Sequence, residues 1–260
     1  MLSAALEFVS PLLYGLPRVG MMLTVMSLLP DAIATRSLRA VVATSLLLGI
    51  YPLLVVQSPL VAVSLSSFLL LMKELMVGAL LGTAIASLFW VMQSVGALID
   101  NQVGTSTAEV LDPFGGHPAG PWSGLFGVLA VALFVAIGGL HTAYTLLAES
   151  FNVWPLNQPL ISIGRSFAGV GEKLFANVAS AALSLAMPVI LLLALVELGI
   201  GLLNRAAPQL NVFSIAMPVK ACLAALVIAV SFPTMLSVAS AHLASALELL
   251  PVLSNVKVGN

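Results

Sequence analysis

The sequence predicts an all-α membrane protein, built of proline-broken apolar helices and helical hairpins, on three observations. Hydrophobic residues make up 60% of the 260-residue chain and charged residues only 7%, against roughly 45–50% and 25% in soluble domains. The apolar residues fall into about six long runs, most of them near or beyond the ~20 residues that cross a bilayer core. Prolines recur inside those runs at Pro11, Pro17, Pro52, Pro188 and Pro233, which is tolerated at membrane depth where protein or water satisfies the freed carbonyls.

In chain order the runs are Phe8–Leu29, Ala40–Val56, Val61–Ile99, Leu125–Leu147, Val178–Leu203 and Val219–Leu250. No stretch beyond about thirty residues lacks one, so residues 1–260 read as a single membrane domain with no soluble domain attached. Val61–Ile99 is roughly twice the length of one crossing, so it either bends at Lys73-Glu74 or extends beyond the bilayer. Within it, Gly78, Gly82 and Ala86 place small residues on one helical face, where another helix can approach closely. Met1–Ser10 carries Glu7 and no basic residue, so a cleaved signal peptide is not expected.

Between the last two runs lies a polar island, Asn204 to Lys220. Pro208 forbids the preceding helix from continuing. Arg205, placed just past that helix, offsets the negative pole of its dipole. Pro218 suits the first turn of the next helix, because a proline there forfeits no hydrogen bond. Asn204, Gln209 and Asn211 can bond the backbone groups the break sets free.

A second departure from apolar sequence runs from Asp100 to Trp122. Its first half, to Val110, is compatible with a helix; its second half holds Pro113, Gly115, Gly116, Pro118, Gly120 and Pro121, which preclude regular structure. Taken alone it reads as a solvent-exposed connection. Lys73, Glu74 and Glu197, with Arg18 and Lys220, stand within or beside apolar sequence, where a charge is expensive and is either paired or functional. Adjacent helical positions do not face each other, so Lys73 and Glu74 each need a partner elsewhere.

Several function classes are disfavoured. A net charge of −1 offers no basic nucleic-acid surface. The three histidines, His117, His141 and His242, are scattered and lack ligand spacing with Cys or acidic residues, so neither a metal nor a cofactor is expected. The single cysteine, Cys222, permits no internal disulfide. Ser106 with His141 loosely suggests an intramembrane serine protease, without oxyanion donors. A secondary transporter using Lys73, Glu74 and Glu197 as an ion relay is the stronger alternative, though no inverted repeat accompanies it. Nine Lys and Arg, widely scattered, leave the orientation open under the positive-inside rule.

Two stretches carry a family resemblance. Asn204-Arg205, Ala207-Pro208-Gln209, Phe213 and Pro218-Val219-Lys220, after a leucine-rich helix, resemble a signature of the export-gate T subunits (SctT/FliR) shared by type III secretion injectisomes and bacterial flagella. Lys73-Glu74, Gly78, Gly82, Phe89-Trp90, Gly96, Ile99-Asp100-Asn101-Gln102, Gly104, Ser106, Ala108 and Asp112-Pro113 follow the same family's order. The resemblance runs from about Arg18 to Pro233, and Asp100-Asn101-Gln102 is more similar to the injectisome branch. Val103 departs from it, standing where many injectisome members carry a basic residue.

The resemblance implies a non-enzymatic core subunit of a bacterial inner-membrane export apparatus, within the secretion basal body. It implies helical hairpins assembled with R-like and S-like subunits, contacts to the U-like switch protein and the V-like export gate, and unfolded secreted proteins as cargo. It places a pore plug between Ser106 and about Trp122: Val110, Leu111 and Phe114 suit a dry constriction, Gly115, Gly116 and Gly120 let the backbone swing aside, and Asp112 and Pro113 lie between. It assigns Asn204, Arg205, Pro208, Gln209, Asn211, Phe213, Pro218 and Lys220 to helix-break geometry or subunit contact.

Overall fold

The computed structural model describes residues 2–26, 36–57, 65–104, 120–156, 165–206 and 212–255. Leucine and alanine, which lose little freedom in a helix, together with valine fill the apolar runs, and at membrane depth every backbone group needs to be satisfied within the segment. Accordingly all regular structure among the described residues is helical: α1 Leu2–Met26, α2 Arg36–Gln57, α3 Leu65–Val103, α4 Pro121–Ala136, α5 Gly139–Val153, α6 Arg165–Ala206 and α7 Val212–Asn255.

Four details depart from the sequence reading. The helices run through their prolines: α1 contains Pro11 and Pro17, α2 Pro52 and α6 Pro188, and α7 extends across Pro218 and Pro233. Each such proline deletes one N–H and deprives the carbonyl four residues earlier, Ser184 for Pro188 and Ala229 for Pro233, of its donor. Pro52, Pro188 and Pro233 are exposed. Second, α3 passes Lys73-Glu74 without a break, so its 39 residues form one helix of about 58 Å. Third, the Leu125–Leu147 run is two helices, because Gly138 adopts φ 78°, a left-handed conformation that no α-helix can include. Fourth, Arg205 lies in the last turn of α6, and α7 already begins at Val212, so Pro218 sits inside that helix instead of opening it.

The chain divides into two compact units, Met1–Ser87 with Gly138–Glu172 and His242–Asn260, and Leu88–Ile137 with Lys173–Ala241. In the first, α1 lies on α2 and on the first half of α3. Val19, Met22 and Met26 of α1 and Ala43, Leu47, Ile50 and Leu54 of α2 are buried. The Gly78–Gly82–Ala86 face of α3 meets α1 within the subunit: a Cβ on Gly78 would overlap the Arg18 carbonyl, and one on Gly82 would stand 2.9 Å from the Met22 carbonyl oxygen. Small residues allow two backbones to touch, which lengthens the list of dispersion contacts available to both helices.

In the second unit the other half of α3 packs on α4, with the Phe89 and Phe134 rings 5.3 Å apart. Among the described residues three helical stretches are long and apolar enough to cross a membrane, Ser67–Val103, Phe175–Ala206 and Ala216–Ala241; α4 and α5 add a fourth only if taken as one broken span. Their burial differs sharply: 72% of the apolar window of α3 is covered, but only 22% in α6 and 11% in α7. Leu191, Leu195, Leu198 and Leu202 of α6 are all exposed.

Gly78→Val is expected to destabilise the protein by roughly 1–3 kcal/mol or more, since the obstructing atom is backbone and cannot turn aside. Gly20→Ala, where a Cβ meets nothing within 4 Å, should be neutral or slightly stabilising, because alanine is the better helix former. Thermal unfolding of the two variants in detergent checks the contrast; equal midpoints would contradict the α1–α3 contact.

Candidate functional site

Among the described residues two polar clusters interrupt the apolar packing, one in each unit. In the first unit Arg18 of α1 projects against α3 and the C-terminal end of α5. Its Nε donates to Glu74 Oε2 at 2.6 Å, Nη1 to Ser150 Oγ at 3.1 Å and Nη2 to the Trp154 carbonyl at 2.8 Å. The guanidinium carbon stands 4.0 Å from the centre of the Phe151 ring. Lys73 Nζ donates to the Pro155 carbonyl at 2.7 Å and lies 2.8 Å from Glu74 Oε1. That last contact is ionic, since Oε1 accepts no well-formed hydrogen bond. Lys73 and Glu74 thus have the separate partners their adjacency demands, plus a direct contact between them.

The three charged side chains are sealed, with exposures of 0%, 2% and 1% for Arg18, Lys73 and Glu74. Among the described contacts two cations share one carboxylate, and the carbonyls of Trp154 and Pro155 accept from them as well. These lie at the end of α5, where the helix dipole is equivalent to about −0.5 of a charge. Desolvating such ions costs several kcal/mol each, and short contacts to every partner are what make it tolerable.

The second cluster surrounds the end of α3. Gly104, at φ 93°, closes the helix in a left-handed cap, its N–H donating to the Asp100 carbonyl at 3.0 Å. The Asp100 side chain serves the start of α4: Oδ1 accepts from Trp122 N at 3.1 Å, and Oδ2 from Ser123 N at 2.8 Å and Ser123 Oγ at 2.9 Å. Gly120, the N-cap position of α4, contributes no side-chain bond of its own; a Cβ there would strike the Asp100 carboxylate. A carboxylate from α3 thereby caps the electropositive N-terminus of α4.

Lys220 of α7 acts in the opposite sense on α3. Its Nζ donates to the Gln102 carbonyl at 3.3 Å and lies 3.5 Å from Glu197 Oε2 of α6, which also accepts from Gln102 Nε2 at 3.4 Å. A cation thus meets a carbonyl left unpaired at a helix C-terminus. The Lys220 side chain is 10% exposed and that of Glu197 61%.

Of the residues singled out from sequence, Ser106, Val110, Leu111, Asp112, Pro113, Phe114, Gly115 and Gly116, and likewise Pro208, Gln209 and Asn211, lie outside the described residues. Asn204 and Arg205 are exposed on α6, Pro218 is exposed on α7, and Phe213 falls in the first turn of α7. Lys73 and Glu74 join Arg18, whereas Glu197 joins Lys220 and Gln102. His141 is exposed on α5. Sequence reasoning missed Ser150, Phe151, Trp154 and the capping role of Asp100. Pro121 was the available signal for the last, since proline at a helix start calls for a capping group nearby.

Comparison with known proteins follows these signatures. The family described as "Bacterial export proteins, family 1" matches residues 9–246, and the chain belongs to this family, the one that unites SctT and FliR. It is 31% identical over 237 residues to the surface presentation of antigens protein SpaR of Salmonella typhimurium, covering 90% of this chain and 84% of SpaR. It is 30% identical over 203 residues to the Yop proteins translocation protein T of Yersinia pestis, covering 78% of each. With the flagellar biosynthetic protein FliR of Pectobacterium carotovorum it shares 34% identity over 158 residues, 60% of this chain and 59% of FliR. SpaR of Salmonella and the Yersinia protein align over more of the chain than FliR does, and secretion names outnumber flagellar ones among the relatives.

Glu74→Ala is expected to cost about 3–5 kcal/mol, because it removes the carboxylate that two buried cations share. Replacing all three charges together, as Arg18→Leu, Lys73→Met and Glu74→Leu, should cost less than that single change. Thermal unfolding of both variants decides; a triple variant less stable than Glu74→Ala would show that the charges contribute net stability.

Proposed function

We propose that the protein is a non-enzymatic core subunit of a type III secretion export apparatus, set in the bacterial inner membrane within the basal body. The family match across residues 9–246 carries this reading. The subunit assembles with R-like and S-like partners, meets the U-like switch protein and the V-like export gate, and helps form and close the channel for unfolded secreted proteins. The largely uncovered apolar surfaces of α6 and α7 support an assembled state, because exposed Pro188 and Pro233 leave carbonyls that lipid cannot satisfy.

Closure falls to the connection between α3 and α4. Val110, Leu111 and Phe114 supply a dry barrier, and Gly115 and Gly116 let it be displaced. Gly120, the last glycine of this plug, also stands at the N-cap position of α4. The Asn204–Lys220 stretch, with Arg205 at the end of α6, serves assembly. The transporter reading is weakened, since Lys73 and Glu74 are sealed with Arg18 while Glu197 belongs to a different cluster.

Deleting Val110–Gly116 should give complexes of normal composition whose cells take up a small impermeant dye, with Phe114→Gly giving a milder leak. Tight membranes around fully assembled deletion complexes would sink the plug assignment. Arg205→Ala and Pro208→Leu should reduce secretion of all substrates together, by impairing assembly. Loss of one substrate class from normally assembled complexes would instead make Asn204–Lys220 a recognition surface.

A further inference from the structure

We propose that Lys220, Glu197 and Gln102 form a releasable latch between α7 and the end of α3, so that Asp100–Gln102 and Lys220 work as one device. This goes beyond the export reading, which gives Lys220 an assembly role and Asp100–Gln102 none.

The contrast between the two polar clusters carries the inference. In the sealed cluster Arg18–Glu74, Lys73–Glu74 and Lys73–Pro155 close at 2.6, 2.8 and 2.7 Å, at or just below the ~2.7–2.9 Å of charge-assisted contacts. Around Lys220 the corresponding distances are 3.3, 3.5 and 3.4 Å, past the usual ~3.2 Å limit for N–H···O bonds. Glu197 is 61% exposed, so water can take its place at little cost. One cluster is sealed and closely spaced, and the other is open and slack.

The slackness has a direction. Asp100 grips α4 with bonds of 2.8 to 3.1 Å, so the end of α3 and the start of α4 form a firm corner. From α7 that corner is reached by Lys220 and by Met217, whose Cε lies 3.5 Å from where a Cβ on Gly104 would be. Both are long, unbranched side chains able to follow a shift of the helix that bears them. Withdrawing α7 removes the cation from the Gln102 carbonyl and frays the last turn of α3, while the Asp100–α4 bonds stay closed. A latch of this kind transmits the position of α7 to the place where the α3–α4 connection departs.

Amide hydrogen exchange on the full-length chain, purified in detergent with its co-purifying subunits, tests the latch. Lys220→Met should speed exchange at residues 101–104 by about tenfold, the scale of a partly buried helix-end cation. Exchange at residues 121–124 should be unchanged, and Lys220→Arg should restore the original pattern. Glu197→Gln should give a smaller rise at the same amides. No change at 101–104, or an equal rise at 121–124, would overturn the proposal, the second by showing general loosening. If no other subunit co-purifies, the export reading fails while the exchange result still decides the latch.

Discussion

A charge inside an apolar helix must be met where it stands, and the buried Arg18–Glu74 pair shows how far that constraint reaches. Glu74 is held by the long helix α3 and Arg18 by α1, and the carbonyls at the end of α5 accept from Arg18 and Lys73. One pairing therefore constrains three helices. The glycines at Gly78 and Gly82 are part of the same solution, because Arg18 reaches α3 only where the two backbones can touch.

The second unit solves a different problem, the unpaired groups at helix ends. The start of α4 has free N–H donors and the end of α3 has free carbonyls, and a membrane environment offers little water to satisfy either. Asp100 answers the first and Lys220 the second, each with the sign of charge that the local dipole favours. Both residues lie in the stretches that carry the family resemblance. Their chemistry in this structure is capping across helices, which gives a physical reason for an acid in one signature and a base in the other.

The apolar surface left over on α6 and α7 is the counterpart of this economy. Helices whose polar groups are satisfied internally can present Leu191, Leu195, Leu198 and Leu202 outward, but the prolines on their exposed faces remain a cost that protein neighbours relieve better than lipid does. That combination suits an export subunit built to be surrounded.

Composition and run length determined by themselves that the chain is helical and membrane-bound, because sixty per cent apolar residues in long runs leave no other way to satisfy a backbone in lipid. The signatures at Asp100–Gln102 and Asn204–Lys220 likewise led from sequence to the family. Helix boundaries were less legible. Hydropathy registers neither the left-handed turn at Gly138 nor a helix that continues through Pro188, since both depend on backbone geometry that apolar counting ignores. Pairings were hidden altogether. Lys73, Glu74, Arg18, Glu197 and Lys220 each stood out as costly charges, yet the partners lie 56 positions away for Arg18 and Glu74 and 118 for Lys220 and Gln102. Only the tertiary structure chose among them, because a buried ion is stabilised by whichever groups packing brings within about 3 Å, and packing is a property of the whole chain.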